Sequence, residues 1–404
     1  MATLLPADYG RLSLILAIYN TVWIVGASGL PNSVARYLAM AIPKDDRAIV
    51  RSAVRAGVLP TVVASIIVAT ASGLLLNSTL AFFFAVIGLP SLVYSLLAMG
   101  ILRGRGYMGL AASIMPIAAV GEVGPLAIMK FSEIGITPLS AFVVFCLGNA
   151  LGLAAGVALT IKTSPSRVIN IEFPETSSRP VPTPRELLGF SIWLGIATVG
   201  VAILPLIIRS AAALDSYTTV AIIDVALVLL ALPQRVGIVL VQAVVPHATR
   251  ALGEEKLSLT ISRREHIWMI APFLLAAGIV AFTPLVGWLF GLLGRPEYEQ
   301  SARYLAMALI ASPARILYGL VEGILIAHKE GRFLAFTALA ITIVASGLIF
   351  AATVLASMIV AFAVFVTAFW LIYLVGYARI RQLTSPSISA RDARFVNQAS
   401  LGES

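Results

Sequence analysis

Residues 333–355 read FLAFTALAITIVASGLIFAATVL, a run of 23 residues without one charged side chain. A helix needs about 20 predominantly apolar residues to cross a hydrocarbon core about 30 Å thick. Because lipid offers the backbone no hydrogen-bond partner, such a segment must be a helix or a strand of a closed barrel. A barrel strand alternates apolar and polar residues, and this run does not. The stretch therefore predicts a transmembrane helix.

Ten further apolar segments of similar length precede and follow this one along the chain. They lie at about 12–39, 52–76, 79–101, 107–129, 138–161, 187–208, 218–246, 267–293, 304–327 and 358–378. The whole chain is 59% hydrophobic and 12% charged, with a mean hydropathy of +0.98. We expect an all-α, polytopic bundle of about 11 transmembrane helices.

The basic residues indicate how these helices are oriented. The net charge is +9, and when alternate loops are grouped, 21 of the 28 Lys and Arg residues fall on one side and five on the other. Cytoplasmic loops are the ones enriched in Lys and Arg. The sequence predicts a protein of the cytoplasmic membrane with its C-terminus inside and its N-terminus outside. The positive charge is then explained without a nucleic-acid partner.

A proline-rich interruption divides the chain. Residues 162–186 contain five prolines among several Ser and Thr, a composition typical of an extended linker. We predict an N-terminal lobe of about five helices at 1–161 and a cytoplasmic linker at 162–186. A C-terminal lobe of about six helices would follow at 187–381, and a polar, disordered tail at 382–404.

Short motifs at helix ends are distributed over nearly the whole chain. They are LPADYG at 5–10, GLP at 29–31, RYLA at 36–39, VPHATR at 245–250, GRPEY at 294–298 and IAHKEGR at 326–332. In these motifs the sequence resembles the Wzx-type oligosaccharide flippases. These flippases form the polysaccharide-transport branch of the multidrug/oligosaccharidyl-lipid/polysaccharide exporter (MOP) superfamily.

The resemblance implies a fold and a function. It implies two six-helix lobes with a flippase- or MATE-like fold, and translocation of lipid-linked oligosaccharide or polysaccharide precursors by alternating access. The partners would be a polyprenyl-(pyro)phosphate-linked glycan, membrane lipids and other glycan-assembly membrane proteins, without a cofactor. In the family a motif like LPADYG follows the first helix, so we expect that the first helix is missing from this sequence.

Five ionisable residues lie inside the predicted spans, where charge is costly and usually functional. They are Glu122, Asp224, Arg235, Arg315 and Glu322. At 100° per residue, Asp224 and Arg235 share one helix face, and so do Arg315 and Glu322. Arginine binds phosphate oxygens bidentately and stays charged. Arg235 and Arg315 are therefore candidates for binding the pyrophosphate, with Arg36 a further candidate near a helix end. In the alternative interpretation these arginines pair with acidic groups and only hold the bundle together.

The intramembrane carboxylates allow a second hypothesis. Glu122 lies in a segment without an internal basic residue, where a carboxylate can titrate and couple transport to a cation. Asp224 and Glu322 are further candidates for ion coupling. These residues would serve a cation-coupled small-molecule exporter of the same superfamily. Glu122 could equally be a protonated structural group.

Two prolines inside spans, Pro90 and Pro233, are candidate hinges because proline frees a backbone carbonyl and can kink a helix. A third hypothesis, a membrane glycan polymerase or glycosyltransferase, requires acidic or metal-binding groups on a sizeable loop outside the bilayer. The loops on that side are short and carry no Asp, Glu or His cluster. We therefore expect a transporter and not an enzyme, without catalytic residues or a metal site.

Overall fold

A computed structural model describes ten parts of the chain and divides it into two compact units. The described residues are 4–27, 29–40, 46–164, 183–228, 230–231, 236, 263–282, 284–292, 294–328 and 330–383. Within these ranges the regular secondary structure is helical and contains no strand. The two units are Met1–Ala221 and Ile222–Ser404, and each has its own packed helices.

The first unit contains eight helices and the beginning of a ninth, in which the boundary to the second unit falls. They are α1 (Pro6–Ala27), α2 (Leu30–Met40), α3 (Asp46–Leu76), α4 (Thr79–Gly104), α5 (Met108–Phe131), α6 (Pro138–Lys162), α7 (Pro184–Ala202), α8 (Leu204–Ala213) and α9 (Tyr217–Val228). Helix α4 packs against α2, α3 and α6, while α5 packs on α6. Helices α7 and α8 pack on α1.

The second unit is built around one long helix. Its elements are α10 (Arg263–Phe282), α11 (Leu285–Leu292), a 3-10 turn (Pro296–Tyr298), α12 (Ser301–Ala327), α13 (Gly331–Leu355) and α14 (Met358–Leu383). Helix α12 packs against α10 and α14, and α13 packs against α14. This arrangement surrounds the middle of α12 with apolar side chains.

The predicted all-α, polytopic membrane fold is confirmed. In the described part of the chain, nine helices are long and apolar enough to cross a membrane, or ten if α10 and α11 form one bent span. Of the predicted span 218–246, only residues up to 228, 230–231 and 236 are described. The predicted lobes 1–161 and 187–381 stay a prediction.

Three spans that were expected to be continuous are broken. The segment 12–39 forms α1 and α2, which are separated at Gly29, a residue with a φ of +70°. Segment 187–208 is interrupted for one residue at Ile203, just before Pro205, although Ile192–Ala213 still forms one span, and segment 267–293 bends by 70° at Pro284. A proline cannot donate the backbone hydrogen bond that would continue a helix, and its ring crowds the preceding turn.

Among the close helix contacts that glycines allow in the first unit, three involve residues of the sequence motifs or their helices. A Cβ added at Gly100 would lie 2.3 Å from the Pro31 carbonyl oxygen, and one at Gly104 would lie 2.7 Å from the Leu38 Cβ. Glycines four residues apart let two backbones approach. This contact seats the helix that carries the GLP and RYLA motifs on α4. At Gly10 of the LPADYG motif, an added Cβ would lie 1.8 Å from the Tyr217 carbonyl oxygen.

Candidate functional site

A buried arginine lies at the centre of the second unit. Arg315 is one residue from the midpoint of α12 and is only 6% exposed. Its guanidinium carbon lies 4.6 Å from the centre of the Phe369 ring on α14, which is the geometry of a cation–π contact. Its Nε atom is buried without a hydrogen-bond partner. Helix α12 therefore holds the Arg315 cation in an apolar layer. One N–H donor of this cation, at Nε, has no acceptor.

Tyr318 and Glu322 lie on the same face of α12 as Arg315, three and seven residues further on. Both interact electrostatically with Arg315. The Tyr318 hydroxyl is also buried without a partner. No hydrogen bond or ion pair joins Arg315 to Glu322 in the described part of the chain. We call Arg315, Tyr318, Glu322 and Phe369 the Arg315 cluster. It combines a cation, a hydroxyl, a carboxyl group and an aromatic ring in one buried place.

Four further residues are predicted phosphate ligands or hinges: Arg235, Arg36, Pro233 and Pro90. Arg235 and Pro233 lie outside the described residues, and Arg36 belongs to α2 but its side chain is not among those described. Pro90 lies within α4, which continues through it from Thr79 to Gly104. The roles of these four residues stay predictions.

Asp224 is buried in α9 beside a tyrosine of the GRPEY motif. Its side chain is 4% exposed, and Tyr298 is 2% exposed with its hydroxyl buried and lacking a hydrogen-bond partner. Burial raises the pKa of Tyr298; Arg295 opposes this rise in pKa, whereas Glu297 and Asp224 add to it. The GRPEY motif thus places the buried side chain of Tyr298 within electrostatic range of the Asp224 carboxylate, in the second unit.

Glu122 lies where three helices of the first unit meet. It is half-buried on α5, and its Cγ occupies the space over Gly148 of α6, where an added Cβ would be only 2.3 Å away. Glu122 interacts electrostatically with Tyr19 of α1 and Cys146 of α6. The Tyr19 hydroxyl is fully buried without a hydrogen-bond partner. The structure therefore brings Glu122 within electrostatic range of a buried hydroxyl that has no hydrogen-bond partner.

An ion pair that sequence reasoning missed ties three helices together. Arg105, which caps the end of α4, donates from Nε and Nη2 to the two carboxylate oxygens of Asp46 on α3, at 2.9 and 2.5 Å. Its Nη1 donates to the Thr160 carbonyl oxygen of α6 at 2.7 Å and to the Thr163 hydroxyl at 3.2 Å. Asp46 and Arg105 are 59 residues apart, so no periodicity in the sequence could have paired them.

Removing the arginine of this pair should destabilise the first unit. The side chains of Arg105 and Asp46 are 8% and 6% exposed, and breaking a buried ion pair costs about 3–5 kcal/mol because the remaining charge is stranded. We expect Arg105→Ala to lower the thermal unfolding midpoint of the purified protein strongly. Arg379→Ala is the control, since Arg379 and its partner Glu330 are 34% and 23% exposed and a pair of this kind contributes at most about 1 kcal/mol. Equal shifts of the unfolding midpoint in both variants would show that the buried Asp46–Arg105 pair contributes no more to stability than the Glu330–Arg379 pair.

Solved structures of other proteins have a fold similar to that of this chain. No family model matches the sequence, and no curated protein matches it. The inward-facing conformation of a multidrug resistance MATE family transporter of the MOP superfamily matches 95% of this chain and 93% of its own, with a TM-score of 0.60 and 17% identity. Its outward-facing counterpart gives a TM-score of 0.63 at 17% identity, over 95% of this chain and 90% of the other. A MATE in the bent conformation gives 0.53 at 15% identity, over 96% and 95%. The protein therefore has the fold of the MATE transporters of the MOP superfamily.

Proposed function

We propose that this protein is a transporter that flips lipid-linked oligosaccharide or polysaccharide precursors across the cell membrane by alternating access. The observation that carries the proposal is the Arg315 cluster. It places a guanidinium without a hydrogen-bonded or ion-paired anion, as far as the described residues go, at the middle of a transmembrane helix. Charged side chains at this depth usually face a pathway or a partner.

The chemistry of the cluster suits a diphosphate. Moving a diphosphate through a low-dielectric layer requires a countercharge, because an unpaired anion there costs many kcal/mol. Arginine supplies a permanent charge and a planar set of N–H donors that match phosphate oxygens. The unpartnered Nε of Arg315 and the hydroxyl of Tyr318 are donors that lack an acceptor. Arg235 and Arg36 would add further charge to the path in this proposal.

The fold supports the transport mechanism. The same fold occurs in solved MATE transporters in an inward-facing and an outward-facing conformation. Broken helices are typical of transporters, in which they allow one group of helices to move against another. The breaks at Gly29, Ile203 and Pro284 are therefore hinge candidates beside Pro90 and Pro233. The likeness to transporters also favours transport over an enzymatic role.

A second candidate function is export of small molecules coupled to a cation. The observation that favours it is Glu122, which interacts electrostatically with the buried, unpartnered Tyr19 hydroxyl in the first unit. A carboxylate in such a place can exchange a proton or bind a cation during transport. The relatives in fold include multidrug resistance transporters, and Asp224 and Glu322 would be further coupling candidates.

Flipping can be measured with the purified protein in liposomes. The substrate is a polyprenyl-diphosphate oligosaccharide with a fluorescent label on the sugar, and a membrane-impermeant quencher reports which leaflet the label occupies. We expect the quenchable fraction to change faster in proteoliposomes than in empty liposomes. A parallel assay follows a cationic dye under a proton or Na⁺ gradient. Absence of flipping, together with gradient-driven dye export that Glu122→Gln abolishes, would replace the first proposal with the second.

A further inference from the structure

The longest helix in the described part of the chain extends beyond the thickness of a membrane core. Helix α3 has 31 residues, which at 1.5 Å per residue gives a length of about 46 Å. The hydrocarbon core is about 30 Å thick. A substantial part of α3 must therefore lie outside the hydrocarbon, or the helix must tilt strongly.

The exposed face of α3 shows which part of the helix lies outside the hydrocarbon core. Exposed large apolar side chains recur along one face of the helix. They are Val54, Val58, Leu59, Val62, Val63, Ile66, Ile67 and Leu74. From Val54 to Leu74 the rise is about 30 Å, which equals the thickness of the core. The apolar face therefore accounts for the whole crossing, and the turns before Val54 lie at the level of the headgroups.

Three arginines lie on the same exposed face of the helix, Arg47 and Arg51 in those turns and Arg55 directly after Val54, at the border of the apolar face. Arg47, Arg51 and Arg55 follow one another at intervals of four residues, and all three are exposed, so they form a stripe about 12 Å long. Neither Arg51 nor Arg55 has a hydrogen bond or ion pair within the described residues. The nearby carboxylate of Asp46 is buried and bound bidentately by Arg105, so it is not available to neutralise Arg51 and Arg55.

We propose that Arg51 and Arg55 form a binding site for the phosphate groups of anionic phospholipids, in the leaflet at the N-terminal end of α3. The stripe continues the apolar face that contacts acyl chains, so one lipid molecule can place its chains on Val54 and Val58 and its phosphate on the arginines. Guanidinium groups bind phosphate oxygens bidentately. Basic residues next to a membrane surface attract anionic lipid. The proposal is independent of the substrate that the protein transports.

Native mass spectrometry of the detergent-solubilised full chain tests the site. Phosphatidylglycerol or phosphatidylcholine is titrated into the protein and the bound lipid is counted. We expect the wild-type protein to bind phosphatidylglycerol more tightly than phosphatidylcholine. In Arg51→Gln/Arg55→Gln this preference should weaken by about 25-fold, since each arginine near an anionic surface contributes about a fivefold factor.

Two variants serve as controls. Arg51→Lys/Arg55→Lys keeps the charge and should retain most of the preference. Arg11→Gln/Lys130→Gln removes two exposed cations from the opposite end of the helices of the first unit and should leave the preference unchanged. If the wild-type protein binds both lipids equally, or if the two glutamine double variants lose binding equally, the proposal is wrong. Arginine-dependent copurification of a protein, with unchanged lipid binding, would also overturn it and indicate a protein interface.

Discussion

Arg315→Ala should reduce the flipping rate at subsaturating substrate by about 10- to 150-fold, because a hydrogen bond to a charged group contributes about 1.5–3 kcal/mol. In the structure Arg315 is only 6% exposed, its guanidinium contacts the Phe369 ring, and its Nε has no hydrogen-bond partner. A cation at this depth attracts a diphosphate with little competition from water. The measurement is the proteoliposome flipping assay, normalised to the amount of folded protein.

The controls separate substrate binding from folding. Arg315→Lys keeps the charge but not the planar set of donors, so its rate should fall between those of wild type and Arg315→Ala. Arg303→Ala removes an exposed arginine from the start of the same helix and should leave flipping unchanged. If Arg315→Ala lowers only the yield of folded protein and each folded molecule flips at the wild-type rate, then Arg315 is structural.

Gly10→Ala should cause the largest loss of stability among single methyl additions at the contacts described above. The added Cβ would lie 1.8 Å from the carbonyl oxygen and 2.7 Å from the carbonyl carbon of Tyr217. These are backbone atoms, which cannot rotate away as a side chain can, so α1 and α9 must separate. Overpacking of this kind costs about 1–3 kcal/mol and occasionally more. The measurement is the thermal unfolding midpoint of the purified protein.

Gly124→Ala is the matched control for this substitution. Gly124 lies inside α5, and a Cβ added there would meet no atom within 4 Å. Alanine also has a higher helix propensity than glycine, by about 1 kcal/mol. We expect the unfolding midpoint of Gly124→Ala to equal or exceed that of the wild type. A Gly10→Ala protein as stable as Gly124→Ala would contradict the close contact between α1 and Tyr217.

The close contact also gives the LPADYG motif a physical meaning. In the sequence the motif stands out only by its resemblance to the flippases, which gives no reason for its final glycine. In the structure Gly10 is the point where α1 touches the backbone of α9. Similarly, Gly29 separates α1 from α2, and Pro31 of the GLP motif rests on Gly100 of α4. These motif residues therefore determine how helices meet, and they carry no information about the substrate.

The breaks within spans show a limit of sequence reasoning. Pro60, Pro90 and Pro313 lie inside unbroken helices, whereas Pro205 and Pro284 lie at breaks. A proline removes the same backbone hydrogen bond in every case. Whether the helix continues depends on neighbouring helices that hold the two halves in line, and that support is invisible in the local sequence.

The sequence alone determined the membrane-spanning helices and the candidate pair Arg315 and Glu322. A helix in lipid satisfies its backbone hydrogen bonds within its own segment, and two residues seven positions apart share a face by helix geometry. Only the tertiary structure decided that Phe369 covers Arg315, that Glu122 interacts electrostatically with Tyr19 and that Arg105 binds Asp46. These contacts join residues of different helices, and helix–helix packing depends on the shapes of both surfaces. The local pattern of either helix does not contain that information.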